Sequence, residues 1–536
     1  MQTLVALLTV TGLAPGASIT LPHGLTAAGL ALEVTSVMPD RVTPIRVSAS
    51  DDTNVTFVND GNQAESAIFL ARRDHSMQQD GSVKSVWAGA GTSGGATTAA
   101  INLYVETTGD DDAAGTAAAP LRTIPAAVNR VPKRIRHPVN IYVGAGDFAG
   151  VAVTGFTVDA ADPAVGAYLR IVGTKVLVTP TTGAATGTAT SGVKGTTTSW
   201  GTLTLTGAGW TGSDFAGKII EILSGTGAGQ VFPVQDNTAD AVTITGAWDT
   251  APAADSVFAI YGWATSVTAG VVAPKTASGT STLRALFTLL SCVGMSGEGG
   301  LAAQVSVEWV NFAPTDMAFV TTHGPGCGLL IRNCRFEPNI LPGIGVSYDG
   351  ISVENCSFEL ATAKTGIAAS NGAGFYASRI YVHMTGTAKA FALSGNPTLG
   401  RKISITYSYV TGAGTHFSLG TYCAALVGVK STGATLAITG GVSGTLLSSM
   451  DISSATTAVK ADDNRYAVRL SAVTGTGNTT AVLATNGANV FVSSTCTLTG
   501  TTEISIDGAA SDFATMRAAS PKYVVNATTG TRVWGD

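Results

Sequence analysis

Apolar and polar residues alternate along most of this chain. VSVEWVNFA (305–313), LLIRNCRFE (329–337) and ISVENCSFE (351–359) each open with the period-2 pattern of a strand that buries one face. Superposed, they bring Val307, Ile331 and Val353 into one position, Val310, Cys334 and Cys356 into a second, and Phe312, Phe336 and Phe358 into a third, at offsets of 24 and 22 residues. Weaker copies start at RIYVHMTG (379), ISITYSYV (403), LVGVKSTG (426), YAVRLSAV (466) and VFVSSTCT (490). A period in the low twenties, with β-branched and small residues, Gly-rich turns and no helix between the strands, predicts a coil of three short strands stacked on its own copies. That architecture is a parallel β-helix. Each coil advances about 4.8 Å, so roughly a dozen coils make a rod of about 60 Å. Its core is a continuous column, which lets one unit exceed the usual domain size.

The remaining segments fall around this repeat. Residues 1–75 hold LEVTSVMP, TPIRVSASD, NVTFVNDG and AIFLARRDH, strand-like runs divided by turn residues, and predict a small N-terminal β-sandwich. Residues 76–100, ending in AGAGTSGGATTAA, carry little to bury and predict a linker. INLYVETTG then reads as a strand, GDDDAAGT as a polar turn, and LRTIPAAVNRVP as a three-turn amphipathic helix over 121–131, with Leu121, Ile124, Ala127, Val128 and Val131 at helical spacing. A stack of strands ends in unpaired backbone groups and apolar side chains. This helix has the size and position to cover that end, so 101–180 is expected to hold a cap and the first coils. Residues 181–262 break the pattern with short antiparallel-looking strands and Trp200, Trp210 and Trp248, and predict a small inserted β-domain. Insertion at a repeat turn costs little. The main β-helix is expected over 263–510 and a C-terminal cap over 511–536. MQTLVALLTVTGLAPGAS lacks a basic leader and runs straight into SITLPHGL, so it reads as a first strand and not as a cleaved signal.

Composition narrows the partners. Only 12% of residues are charged and the formal net charge is −5, with KRIRH (133–137) the densest basic run; no broad positive surface for nucleic acid is expected. Mean hydropathy is +0.30, yet no window of about 18 residues is free of Gly, Ser, Thr or charge, so membrane insertion is not expected. Six cysteines at 292, 327, 334, 356, 423 and 496 form no CxxC pair and read as reduced, buried thiols. Histidines lack ligand spacing, so neither a metal nor another cofactor is expected.

INLYVETTGDDDAAGTAAAPLRTIPAAVNRVP together with NIYVGAGDFAGV resembles the opening of the tail spikes and related appendage proteins of tailed bacteriophages, whose trimeric shafts are pectate-lyase-like right-handed β-helices. There a YV strand, an acidic Gly-rich turn, a P-x-x-T-I helix and a V-x-I-x-V-type strand start the solenoid. VTGLAPGASITLPHGL and PDRVTPIRVSASD are similar to modules that attach such proteins to the virion, and GKIIEILSGTGAGQVFPVQDNTADAVTITGAWDT to insertions in related phage β-helices. The resemblance covers about 60 residues directly. It implies an all-β fold, a right-handed single-stranded parallel β-helix with an N-terminal β-sandwich module and an inserted small β-domain. It also implies a homotrimer at the particle surface, contacts with other virion proteins through the N-terminal module, and contact with bacterial surface glycan. Three functions follow as expectations: a host-contacting spike or fibre, a polysaccharide depolymerase of the same fold, or a purely architectural spike.

Catalysis on such a scaffold needs two carboxylates on one outer face. Glu337 and Glu359 follow the aligned phenylalanines on adjacent coils and are the candidate pair; the alternative is two acids splayed at a solvated turn. Glu308, Arg332 and Glu354 alternate in sign from coil to coil and read as an ion-pair ladder. Asp316 and Asp349 read as turn residues. Cys334 and Cys356 stack one coil apart in the column that holds Val310, which favours packing over a disulfide. GSDFAGKI (212–219) imitates a phosphate loop but places Ile219 where a hydroxyl is needed, and GTGAGQ (225–230) reads as a turn. Trp200, Trp210 and Trp248 are candidates for sugar stacking or, alternatively, the core of the inserted domain.

Overall fold

The computed structural model describes residues 4–22, 32–36, 45–50, 54–59, 65–73 and 96–535, less short breaks within these spans, the longest being 273–283, 291–304 and 512–522. The chain divides into two compact units, Met1–Gly94 and Gly95–Asp536. In the first, Leu4–Leu13, Glu65–Arg73 and Leu32–Ser36 form one antiparallel sheet and Ser18–Pro22, Asn54–Asn59 and Ile45–Ser50 another.

The second unit is a right-handed parallel β-solenoid built from three ladders of strands. The first ladder runs from Ile101–Val105 through Val305–Glu308, Leu329–Arg332 and Ile351–Glu354 to Arg532–Gly535, in a 14-stranded sheet that is parallel except for the terminal pair with Tyr523–Val525. The second includes Arg335–Phe336, Ser357–Leu360, Tyr381–Met384 and Tyr409–Gly412. The third includes Thr365–Ala369, Lys389–Leu393 and Thr415–Gly420. Val307 pairs with Ile331 and Ile331 with Val353, all at most 1% exposed, so the expected file is one shared core. Phe312, Phe336 and Phe358 stack beside it with ring centroids 5.1 and 4.3 Å apart.

Between the first two ladders the chain turns sharply. Trp309, Asn333, Asn355, Arg379 and Tyr407 occupy this corner on successive coils, all with φ between 48° and 58°, followed by Gly428, Ser449 and Ala472 at 66°, 51° and 51°. A left-handed residue lets the strand leave one face and start the next without an intervening loop.

The helix is shorter than its apolar spacing predicts. It spans Ile124–Arg130, because Leu121 is bridged to Val105 as an extended residue and Thr123 caps the first turn. The Thr123 side-chain oxygen accepts from the Ala126 N–H (3.2 Å) and its hydroxyl donates to Asp111 Oδ2 (2.9 Å), while Asp111 Oδ1 accepts from the Arg122 and Thr123 N–H groups. The acidic turn therefore does more than reverse the chain; Asp111 fixes where the helix begins. Ile124, Ala127 and Val128 are buried against Ile101–Val105, Val139–Val143 and the strands after them. Thr123→Ala is expected to cost about 1 kcal/mol, read as a lower denaturant midpoint of the Gly95–Asp536 unit.

Leu169–Val172 pairs directly with Val305–Glu308, so the segment between them leaves one coil and returns to the next. Part of it, Lys175–Leu177 to Val257–Trp263, forms an eight-stranded antiparallel sheet around Trp210, Phe215, Phe232, Trp248 and Phe258. This module lies along the left-handed corner. Trp263 Nε1 donates to the Asn333 carbonyl (2.6 Å), Tyr261 meets Trp309 edge-on (6.0 Å), the Arg379 guanidinium covers Phe232 (4.4 Å), and Trp200 packs on Tyr409 (5.6 Å) beneath Lys430 (4.5 Å).

Candidate functional site

Outward-facing residues of the second ladder form rows running across the coils. One row is Glu337, Glu359, His383 and Thr411; beside it run Asn311, Arg335, Ser357, Tyr381 and Tyr409. Glu337 and Glu359 thus lie on consecutive coils of one face, and each has a side-chain partner. Glu337 Oε1 accepts from Asn311 Nδ2 (2.9 Å) and lies 3.3 Å from Arg335 Nη1. Glu359 Oε2 lies 2.9 Å from His383 Nδ1.

The inserted module adds Lys218 to this row. Burial and then the charge of Arg335 push its ammonium down from the ordinary lysine value, against the opposing pull of Glu359 and Glu337. Lys218 also lies over the Trp263 ring at 5.9 Å. Tyr381 is pushed well above the ordinary phenol value, by burial first and then by Glu359, so its hydroxyl stays protonated and can donate. Asn311 is 8% exposed and its Oδ1 has no hydrogen-bond partner among the described residues. The face therefore offers two carboxylates and a histidine, with the half-buried Lys218 cation beside them and the Tyr381 phenol buried beneath the module. These groups suit a polar ligand laid along the coils.

His383 and Lys218 are absent from the sequence-based set. His383 was within reach of it, since RIYVHMTG sets His383 against Glu359 once Val382 is aligned with Phe358. Lys218 was not, because its approach depends on how the module docks; the lysine of the false phosphate loop ends up next to the acids instead.

The tryptophan candidates are corrected. Trp200, Trp210 and Trp248 are 4%, 3% and 0% exposed, with Trp210 edge-on to Phe215 and Trp248 to Phe232, so none offers an open face to a sugar ring. A small domain with few other large apolar groups spends its indoles on its own core. The sign-alternating column is corrected in part. Glu308 is held by Arg170 (2.8 and 2.7 Å) and by Arg332 (3.0 Å), and these contacts hold its carboxyl below the usual range despite burial. Arg332 does not continue the ladder to Glu354, which has no ion-pair partner among the described residues. Cys334 and Cys356 are buried free thiols that donate to the Val307 and Ile331 carbonyls. Asp316, Asp349, Cys292 and Cys327 lie outside the described residues. Among the described residues no group of three or more metal-ligating side chains converges, and no helix is long and apolar enough to cross a membrane.

The fold places the chain in the class of right-handed parallel β-solenoids carrying a flanking antiparallel module. No protein-family model matches the sequence, and no curated protein does. Among solved structures, the chain is similar to a GH87 α-1,3-glucanase catalytic-domain variant in complex with nigerose, at 11% identity over 98% of this chain and 88% of that one, with a TM-score of 0.34. It is also similar to the GH136 lacto-N-biosidase from Eubacterium ramulus (10% identity, 74% and 65% covered, TM-score 0.26). A third is the tailspike of Pseudomonas phage phi297 (11% identity, 71% and 74% covered, TM-score 0.18).

Proposed function

We propose that this chain is a glycan-contacting spike or fibre of a bacteriophage virion, a homotrimer that binds the bacterial surface without cleaving it. The virion part of the reading rests on the opening stretch that resembles tail-spike proteins, with its acidic turn, Thr123-capped helix and first coil. The glycan part rests on one observation, the row Glu337, Glu359 and His383 with Lys218 and Tyr381 beside it. Each carboxylate there is engaged by a neighbour, Glu337 by Asn311 and Arg335 and Glu359 by His383. Carboxylates so held accept hydrogen bonds from sugar hydroxyls with little loss of side-chain entropy.

Purified protein incubated with host surface polysaccharide is expected to bind it and to release no new reducing ends. A Glu337→Gln, Glu359→Gln double variant is expected to bind about tenfold or more weakly, since each loses charge-assisted hydrogen bonds. Robust cleavage that the double variant loses would replace this reading with a depolymerase. Mass in solution near three times the 53.9 kDa of one chain is expected; a monomer at micromolar concentration counts against the trimer.

A further inference from the structure

Across the left-handed corner from that row, on the outer face of the first ladder, the module and the coils enclose a cleft of ≈ 540 Å³. This size accommodates a small-molecule ligand. Its lining includes four basic and four acidic side chains, so the cleft has no net formal charge. Most of these charges are used within the protein, Arg170 and Arg332 on Glu308, Lys175 on Glu221 and Arg379 on Asp249. Glu354 is the exception: half-buried on the wall, it has neither an ion-pair nor a side-chain hydrogen-bond partner among the described residues.

Three further polar atoms of lining residues, each closed off from solvent, lack partners among the described residues: Asn333 Oδ1, Asn355 Oδ1 and Arg332 Nε. Both asparagines are 5% exposed. Buried polar groups are rarely left unpaired without a compensating role. The corner itself does not call for an amide, because Gly428, Ser449 and Ala472 make the same left-handed turn further along the column. Trp309, which also lines the cleft, holds φ at 58°, a costly conformation for a bulky residue and one that persists where the surroundings, or a function, demand it.

We infer that this cleft is a second ligand site, which takes a neutral saccharide. The chemistry of the unpaired groups selects the class. Glu354 is the acceptor left unpaired on the cleft wall, and adjacent sugar hydroxyls donate to it from one carbon frame without bringing a charge, while Asn333 Oδ1, Asn355 Oδ1 and Arg332 Nε, closed off from solvent, gain partners only where the ligand turns those side chains toward it. A uronate or phosphorylated sugar would bring its charge against Glu354 in a lining with no positive excess. The inference rests on the reading of the chain as a glycan binder, but it places the contact on different residues.

Saturation-transfer NMR and calorimetry on the full chain test it, with neutral tetrasaccharides of glucose, galactose, mannose and N-acetylglucosamine as probes beside tetragalacturonate. At least one neutral probe is expected to bind at concentrations up to about 10 mM. Glu354→Gln is expected to weaken that binding about tenfold. Asn333→Gly, which keeps the left-handed corner while removing the amide, is expected to weaken it as well; if it fails to fold, the near-isosteric Glu354→Gln decides alone. Absence of binding by every neutral probe, equal or tighter binding of tetragalacturonate, or binding unaltered by Glu354→Gln overturns the inference. Binding lost in the Glu337→Gln, Glu359→Gln variant but kept in Glu354→Gln sinks the cleft while sparing the proposed function.

Discussion

Phe336→Ala lowers the stability of the coils around it by about 4 kcal/mol. The ring is fully buried and sandwiched, 5.1 Å from Phe312 on one side and 4.3 Å from Phe358 on the other, so the truncation removes two aromatic contacts and leaves a cavity in a column that cannot collapse sideways. In a stacked repeat each coil touches its neighbours alone, so the damage is local. Amide hydrogen exchange is the measurement. Protection of Val305–Glu308, Leu329–Arg332 and Ile351–Glu354 falls, while that of Thr445–Ser448 and Ala467–Ser471 stays. Phe336→Leu, which keeps most of the volume, falls well short of the alanine effect. A cost below about 1 kcal/mol for Phe336→Ala would mean that these rings do not share a core.

Acidification has the second large effect. His416 is wholly buried, with Nδ1 2.7 Å from Ser431 Oγ and Nε2 2.8 Å from the Gly412 carbonyl, and burial lowers its pKa from 6.5 to about 4. The folded protein therefore keeps this ring neutral where the unfolded chain would protonate it. Its contribution to stability is complete above pH 6.5, shrinks as the pH falls from there to about 4, and is gone below that. At 1.36 kcal/mol per unit, the loss over this window is about 3 kcal/mol. His416→Gln removes the ionisable group and flattens that limb of a stability-against-pH curve measured by denaturant unfolding. An unchanged slope in the variant would show that His416 is not the group responsible.

Which features were legible in the chain follows from how a solenoid is built. Residues one coil apart are neighbours, so a fixed offset in the sequence is a contact in space. That is why Val307, Ile331 and Val353, the phenylalanine stack, the free cysteine pair and the adjacency of Glu337 and Glu359 could all be found by aligning three short segments. The rule fails where the outward residues carry no signal. The coil at Thr445–Ser448 and Asp451–Ser453 sits in a gap between the copies starting at 426 and 466, because LLSSMDIS substitutes serine and aspartate around its buried Leu447, Met450 and Ile452.

The sequence by itself determined the repeat, its register, the helix that opens the solenoid and the acids of one outer face, since each depends on local pattern or on a constant offset. The tertiary structure alone decided the rest. Arg170 reaches Glu308 across 138 residues, Lys218 comes to Glu337 and Glu359, and the module closes a cleft over Asn333, Asn355 and Glu354. No periodicity encodes these contacts, because they arise where a long excursion folds on its own core and docks back on the stack, and there the fit of two finished surfaces sets which side chains meet.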